Sequence, residues 1–339
     1  MDLQTFLNEW RDDSPTLLVR TSGSTGRPKP MRVEKRRMEA SARITCRFLR
    51  LQRGDTALLC LPLDYIAGKM MVVRALTCGL HLLDVPPTGH PLASLPPFTG
   101  AAEHPDIHID LAAMVPLQVY NSLQVPVERS RLMAVRHLLI GGGAVDEAME
   151  ETLGGFPNAV WSTYGMTETL SHIALRRLNG PEASAWFTPF DGVAVTQDGD
   201  GCLIVDAPAV HEGPLATNDI AELRGDGTFR ILGRKDNVVC CGGMKIQMEE
   251  LERLLRPHIH DPFLIARRAD DKFGEIAVLL TEGAADAARE ACAQALPKMQ
   301  RPRAYLHVDH IPLTATGKPA RRQADAMACS GRPCASPME

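Results

Sequence analysis

Four clusters of hydroxyl, glycine and charged residues recur along this 339-residue chain, in types suited to holding phosphate and carboxylate oxygens. The densest is Thr21-Ser22-Gly23-Ser24-Thr25-Gly26-Arg27-Pro28-Lys29, which follows a strand-like run. Small hydroxyl donors beside an approachable glycine backbone are what phosphate oxygens require. It is not a GxxxxGK[ST] loop, because Lys29 follows a proline and no serine comes after it. A plain Ser/Gly turn has the same local composition. The second cluster is Ser162-Thr163-Tyr164-Gly165-Met166-Thr167-Glu168-Thr169. A lone carboxylate among hydroxyls, with an aromatic ring beside it, could hold Mg²⁺ bridged to phosphates. The same string also reads as a helix start with Thr167 as its N-cap. The third comprises Asp219, then Gly233-Arg234-Lys235-Asp236, then Gly242-Gly243-Met244-Lys245, and the fourth is Pro312-Leu313-Thr314-Ala315-Thr316-Gly317-Lys318. Each of these is bland alone: a strand-end acid, a charged turn, a glycine turn, a basic loop.

The elements that must position these clusters alternate in the first two-thirds of the chain. Leu17–Arg20, Thr56–Leu61, His81–Val85, Ile107–Leu111 and His137–Ile140 read as buried strands. Glu34–Arg50 carries Met38, Ala42, Thr45, Phe48 and Leu49 at helical spacing. This alternation predicts an α/β core with much parallel sheet. From Gly192 onward, glycine-punctuated strands with DGDG and GDG turns predict antiparallel hairpins. After GRKDN come a helix over Gln247–Arg256, strands at Pro262–Arg267 and Glu275–Thr281, and a helix over Ala284–Leu296. The expected organisation is a large N-terminal α/β domain over residues 1–235 and a smaller α+β domain over 236–325. The tail after Arg322 reads as frayed, with 326–339 disordered.

Composition narrows the classes. The balance of 45% hydrophobic and 23% charged residues is that of a globular protein, and the length exceeds one ordinary core. A net charge of −4 lacks the basic excess of a nucleic-acid binder. No apolar run approaches the roughly 18 residues that span a bilayer, and the polar, acidic N-terminus does not read as a secretory signal. The nine cysteines include no CxxC pair, so reduced thiols in a cytoplasmic protein are the expectation, with no membrane partner.

In this order and spacing, the four clusters resemble the core motifs of the adenylate-forming superfamily: acyl-CoA synthetases, peptide-synthetase adenylation domains and luciferases. The likeness runs from about Thr21 to Arg322. It implies a large domain followed by a small mobile one, and a two-step reaction. ATP and a carboxylic acid first give acyl-AMP and pyrophosphate; the thiol of coenzyme A then displaces AMP. ATP, Mg²⁺ and coenzyme A are the implied cofactor and co-substrates, and a small carboxylic acid is the implied partner; a homodimer is left open. By motif, Thr21, Ser22, Gly23, Ser24, Thr25, Gly26 and Lys29 resemble the loop around the β- and γ-phosphates. Gly141, Gly142, Gly143 and Ala144 resemble the segment against which adenine packs. Tyr164 would stack on adenine beside Gly165, Thr167 would touch the α-phosphate, and Glu168 would ligate Mg²⁺. Asp219 would bind the ribose hydroxyls with Arg234 as its basic partner, and Asp236 would be the hinge. Gly242 and Gly243 would border the pantetheine channel, and Lys318 would reach the carboxylate and α-phosphate. Developing negative charge on phosphorus gives a cation, hydroxyl donors and a lysine their use.

Three departures stand out. Pro30 replaces the usual glycine after Lys29, few residues precede the first cluster, and the stretch around Gly201–Asn218 is abbreviated. The acyl-pocket segment resembles Leu61–Met70, with Tyr65 where many members carry histidine. Among branches of the family, LPLDYIAGKMM, AMVPLQV and YGMTETLSHIALRRLNG are most similar to ligases that activate o-succinylbenzoate for menaquinone synthesis. That acid has a second carboxylate needing a polar or cationic partner. Tyr65, Gly68, Lys69 and His172 are the pocket candidates, with Arg176 and Arg177 as further cations. The two arginines equally read as solvating a helix face, and Lys69 as an exposed lysine. Another aryl or short-chain acid is the alternative substrate. A non-catalytic nucleotide binder is disfavoured by the joint presence of Glu168 and Lys318.

Overall fold

The computed structural model describes residues 1–20, 30–95, 108–314 and 318–330. The expected phosphate loop, Thr21 to Lys29, lies outside the described residues, as do 315–317 of the fourth cluster.

The chain opens with helix α1 (Leu3–Arg11), capped by the Asp2 carboxylate, which accepts the Thr5 N–H at 2.7 Å. Strands β1 (Thr16–Arg20) and β2 (Pro30–Glu34) pair antiparallel as a ribbon of their own. The expectation that Leu17–Arg20 joins the parallel core is therefore corrected. Leu17 and Val19 are 3% and 1% exposed but Leu18 is 50% exposed, so only one face is covered. A core parallel strand is covered on both.

Next come α2 (Lys35–Phe48), β3 (Thr56–Leu59), α3 (Ile66–Cys78) and β4 (His81–Asp84). They are followed by β5 (Leu111–Met114), α4 (Pro116–Gln124), α5 (Pro126–Ala134), β6 (His137–Ile140) and α6 (Glu147–Gly154). Strands β7 (Ala159–Gly165), β8 (His172–Arg177) and β9 (Thr188–Pro189) complete a seven-stranded sheet ordered β4-β3-β5-β6-β7-β8-β9. Pairing is parallel from β4 to β7 and antiparallel beyond. Alternate residues of each central strand enter two different cores. Ala57, Leu59, Leu111 and Leu139 pack on the α2–α3 side, whereas Leu58, Ala112, Leu138 and Ile140 face α4, α5 and α6. That two-sided burial is what makes these strands read as continuous apolar runs.

Of the strand expected over Ile107–Leu111, Ile107 lies outside the described residues, and the strand itself begins at Leu111. Asp110 still pairs with both neighbours, its N–H donating to the Thr56 carbonyl at 2.9 Å and its carbonyl accepting the His137 N–H at 2.9 Å. Its carboxylate accepts the Thr56 N–H at 2.9 Å and meets Arg136, closing the amino end of the sheet.

A four-stranded antiparallel sheet follows, in the order β10 (Ala194–Gln197), β11 (Cys202–Asp206), β12 (Leu215–Leu223), β13 (Phe229–Arg234). After a one-turn 3₁₀ segment at Lys235–Asn237 come β14 (Val238–Cys241), β15 (Met244–Gln247), α7 (Met248–Leu255), β16 (Phe263–Asp270) and β17 (Gly274–Thr281). Helix α8 (Ala285–Ala295), strand β18 (Ala304–His307) and helix α9 (Arg321–Ser330) end the described chain. Strands β14 to β18 form a separate five-stranded sheet over their own apolar core of Val239, Leu251, Ile265, Val278 and Leu280.

The frayed tail expected after Arg322 is corrected as far as Ser330, where α9 ends, and 331–339 of the stretch expected to be disordered lie outside the described residues. Ala324 and Ala328 are fully buried, and the Asp325 carboxylate accepts the Arg267 N–H at 2.9 Å. At the helix start, Arg321 grips the Glu252 carboxylate at 2.6 and 2.7 Å. Two small alanines one turn apart suffice to seat a helix, which a count of large apolar residues overlooks.

Candidate active site

In a parallel sheet, side chains and loops that do chemistry gather at the carboxyl ends of the strands. Here β6 runs out at Ile140 into Gly141-Gly142-Gly143-Ala144, beside the end of β7 at Tyr164-Gly165. Gly141 is required by close approach: a Cβ there would lie 2.3 Å from Thr163 Oγ1 on the neighbouring strand. Gly142, Gly143 and Ala144 are exposed along this edge.

Tyr164 is 9% exposed, its ring against Phe187 and Phe229 at centroid distances of 5.9 and 5.1 Å. Its hydroxyl donates to Asp219 Oδ2 at 2.7 Å. Burial raises the phenol well above its ordinary value, and the Asp219 charge adds to that, so Tyr164 remains a donor. Asp219 on β12 stands directly across the ladder from Arg234 on β13, whose guanidinium reaches Asp219 Oδ1 at 2.9 Å. Arg234 also donates to Asp236 Oδ2 at 3.0 Å, and Asn218 donates to the same oxygen at 3.1 Å. One register of one hairpin thus aligns an acid, a base and the first residues of the connection to the next sheet.

Lys318 arrives on the loop between β18 and α9. Its backbone is fixed by a small loop: Thr314 N–H donates to the Lys318 carbonyl at 2.7 Å, and Leu313 bridges Pro319. The ammonium sits among Arg234 and Asp219, and burial first, then Arg234, lowers its pKa. Lysine, arginine, aspartate and tyrosine from four distant stretches therefore converge.

The segment between β7 and β8 is a tight turn, so the alternative of a helix start at Thr167 does not hold. Thr169, fully buried, accepts the Met166 N–H at 3.0 Å and lies 2.8 Å from the Ser171 carbonyl. Leu170 is forced to a φ of +64°, a left-handed conformation costing a leucine on the order of 1–3 kcal/mol. Thr167 is buried and half-exposed Glu168 has no hydrogen-bond or ion-pair partner among the described residues. A single free carboxylate fits Mg²⁺, which takes one or two carboxylates and completes its shell with water and phosphate oxygens.

The acyl-pocket candidates separate. Tyr65 is half-buried at the start of α3, and Gly68 is packed where a Cβ would lie 2.4 Å from the Pro62 carbonyl oxygen. Lys69 is buried, not exposed, but its Nζ lies 5.0 Å over the Phe6 ring and 3.5 Å from Met1 Sδ, towards α1. Desolvation lowers its pKa. The structure does not bring it to His172. Arg176 and Arg177 lie on strand β8 rather than on a helix face, and both are engaged. Arg176 pairs with Glu150, and Arg177 donates to Asn179 at 2.8 Å and stacks 5.0 Å over Trp161. Gly242 and Gly243, with φ of +57° and +86°, form the two-residue turn joining β14 to β15.

His172 belongs to a network that sequence reading missed. Arg74, on α3, is 2% exposed; its Nη2 donates to Ser171 Oγ at 2.6 Å. Ser171 Oγ lies 3.2 Å from His172 Nδ1, His172 Nε2 lies 3.0 Å from Thr45 Oγ1, and Thr45 donates to the Ser41 carbonyl at 3.2 Å. With the neutral imidazole protonated at Nε2, every hydroxyl in this chain donates once and accepts once. Burial, then the Arg74 charge, pushes the His172 pKa well below its ordinary value, so it is not a cation near neutral pH. The cation is Arg74, which burial lowers to about 10. Its other contact is Met71 Sδ at 3.7 Å, and its Nε–H has no partner. The signal was present in the sequence as one arginine inside the apolar run Met70–Leu76, since arginine is rarely buried unpaired.

The family model that matches the chain is described as AMP-binding enzyme and covers residues 4–206. A 2-succinylbenzoate–CoA ligase of Bacillus mycoides is 24% identical, over 90% of this chain and 69% of its own length. A solved acyl-CoA synthetase (AMP-forming)/AMP-acid ligase II-like protein from Dyadobacter fermentans is 31% identical, with a TM-score of 0.63 over 95% of this chain and 92% of that one. The o-succinylbenzoate CoA synthetase of Bacillus subtilis, solved with the acyl-adenylate intermediate OSB-AMP, superposes with a TM-score of 0.72 at 21% identity, covering 93% of this chain and 69% of that one. The same enzyme solved with ATP and magnesium ion gives 0.70 at 20% identity, over 90% and 69%. The fold is thus that of adenylate-forming enzymes, and the matched segment carries the glycine edge and the Tyr164 turn. The chain belongs to the AMP-binding enzyme family and is an AMP-forming acid–thiol ligase.

Proposed function

We propose that this ligase activates o-succinylbenzoate with ATP and passes the acyl group to coenzyme A. The observation that carries the choice of acid is Arg74. A guanidinium that is 2% exposed, with no carboxylate partner among the described residues, is a buried charge that only the neighbouring thiols Cys46 and Cys78, when ionised, act on. Leaving such a charge unpaired is costly. A substrate that keeps one carboxylate while the other reacts supplies the missing anion through charge-assisted hydrogen bonds. o-Succinylbenzoate is such an acid, and the Bacillus mycoides relative is named for it.

In this reading Asp219 accepts from the ribose hydroxyls while Arg234 and Tyr164 hold it in place. The exposed edge Gly141–Ala144 lies along the adenine, and Tyr164 stacks with the part of its ring that Phe187 and Phe229 leave open. Thr167 and Lys318 face the α-phosphate, where Lys318 offsets charge as the acid's oxygen attacks. Glu168 would hold Mg²⁺, which, when bound, screens the phosphate charge. Coenzyme A brings its own thiol, so no cysteine of the chain acts in the transfer.

The test is pyrophosphate release by the purified protein over a panel of carboxylic acids, with and without coenzyme A. An analogue with hydrogen in place of the ring carboxylate should lose kcat/KM by a factor on the order of 10⁴, because a site built around a buried polar partner rejects a ligand lacking it. Arg74→Met should narrow that gap, and Arg74→Lys should restore part of it. Benzoate or a fatty acid reacting as well as o-succinylbenzoate would sink this reading.

A further inference from the structure

Helices α2 and α3 bring two cysteines face to face. Cys46, on α2, is 4% exposed, and Cys78, at the last turn of α3, is half-buried. Cys46 lies in the apolar core between the two helices and Cys78 packs against that same core. Cys78 Sγ also lies 3.9 Å from the Ala42 carbonyl, one turn before Cys46 on α2. The groups facing the pair are cationic on one side, Arg74 and Arg43, with Asp55 acting on Cys46.

We propose that Cys46 and Cys78 form a modification site, an oxidisable dithiol that a hydroperoxide closes into a disulfide joining α2 to α3. Cys78 is the attacking sulfur. It is the more accessible of the two, and the neighbouring Cys46 thiol, then Arg74 and Arg43, lower its pKa to about 7, whereas Cys78 and burial raise that of Cys46. The Cys78 thiolate attacks one peroxide oxygen, the O–O bond breaks, and the departing hydroxide takes the thiol's proton to leave as water. The resulting sulfenic acid is attacked at sulfur by Cys46, the S–O bond breaks, and a second water leaves with the Cys46 proton. Two thiols and one hydrogen peroxide thus give one disulfide and two waters.

The site lies behind the polar chain already described. Cys78 is one turn from Arg74 on the same face of α3, and Cys46 follows Thr45, the partner of His172. Oxidation therefore replaces a thiolate beside Arg74 with a neutral bond.

The experiment treats the reduced full-length chain with equimolar hydrogen peroxide, blocks remaining thiols with N-ethylmaleimide, and maps the digest by mass spectrometry. The expected result is loss of maleimide labelling at both residues and a Cys46–Cys78 cross-linked peptide lacking two hydrogen atoms, reversed by dithiothreitol. In Cys46→Ser, Cys78 should stop at the sulfenic acid and be trapped by dimedone. Undiminished labelling of Cys46 and Cys78 while exposed Cys240 or Cys329 is oxidised would overturn the proposal. So would Cys78 sulfinic acid beside a free Cys46. The map reads the wild-type chain, so it does not depend on any variant folding. Cross-linking is independent of the acid used, so its failure would leave the substrate reading untouched.

Discussion

Glu168 is a carboxylate without a partner among the described residues, at the lip of a turn that the Thr169 hydroxyl closes. Asp219, by contrast, is held by Tyr164 and Arg234 before any nucleotide arrives. The difference suits their proposed roles: a ribose acceptor gains from being fixed, while a metal ligand needs free lone pairs. Glu168→Gln keeps the shape and removes the charge, and a neutral amide is a poorer ligand for a hard cation. The Mg²⁺ concentration needed for half-maximal pyrophosphate release should rise in this variant with its melting temperature unchanged. An unaltered Mg²⁺ titration would make Glu168 a residue of the turn alone. At this scale the motifs Tyr164, Asp219, Arg234 and Lys318 were legible as residue types at recognisable spacing. Arg74 was legible only as an arginine inside an apolar run; that no acid among the described residues pairs with it is a property of packing.

Gly141 shows how an element shapes the site. Strands β6 and β7 are in parallel register with Ile140 beside Ser162, which sets the next residue on β6 against Thr163. Gly141→Ala should destabilise the protein by about 1–3 kcal/mol, the usual effect of overpacking a fitted contact. Removing the obstructing hydroxyl with Thr163→Ala should recover part of that loss. Denaturant unfolding of the two single variants and the double would read the coupling, and strict additivity would contradict the contact. The same scale explains one misplaced strand and one alternative that falls away. Thr16–Arg20 has the composition of a core strand, yet a local hairpin with β2 claims its hydrogen bonds. The Tyr164 turn has the composition of a helix start, yet Thr169 closes it and holds Leu170 at positive φ.

Across the whole molecule, the charge of Lys318 acts with those of Asp219 and Arg234 although it lies on the loop between β18 and α9, elements packed on a separate core. The described contacts between the two parts near α6 and α7 are exposed ion pairs, Arg253 to Glu147 at 3.5 Å and Arg256 to Asp146 at 3.9 Å. Pairs of this kind contribute about 0–1 kcal/mol and are easily exchanged. We propose that residues 236 onward move as a lid about Asp236, presenting Lys318 for adenylation and withdrawing it for thiol transfer. Lys318→Ala should then lower acyl-AMP formation by a factor on the order of 10²–10³, as for other lost charge-stabilising donors. Thioester formation from supplied acyl-AMP and coenzyme A should be nearly normal. Equal losses in both half-reactions, measured by single turnover, would rule out a lysine confined to one conformation.

By itself the sequence determined what periodicity and spacing encode locally: the strand–helix alternation, the change to hairpins after Gly192, and the ordered motif clusters. These follow from steric preferences and hydrogen-bond chemistry that act over a few neighbouring residues. Only the tertiary structure decided which side chains share a pocket. Lys69 and Arg74 lie five residues apart on one helix, and a rotation of 100° per residue turns them to different neighbours, Phe6 for one and Ser171 for the other. Whether a buried cation finds a countercharge depends on every chain segment packed around it. That sum over distant segments is what assigned the unpaired charge to Arg74 and left His172 neutral.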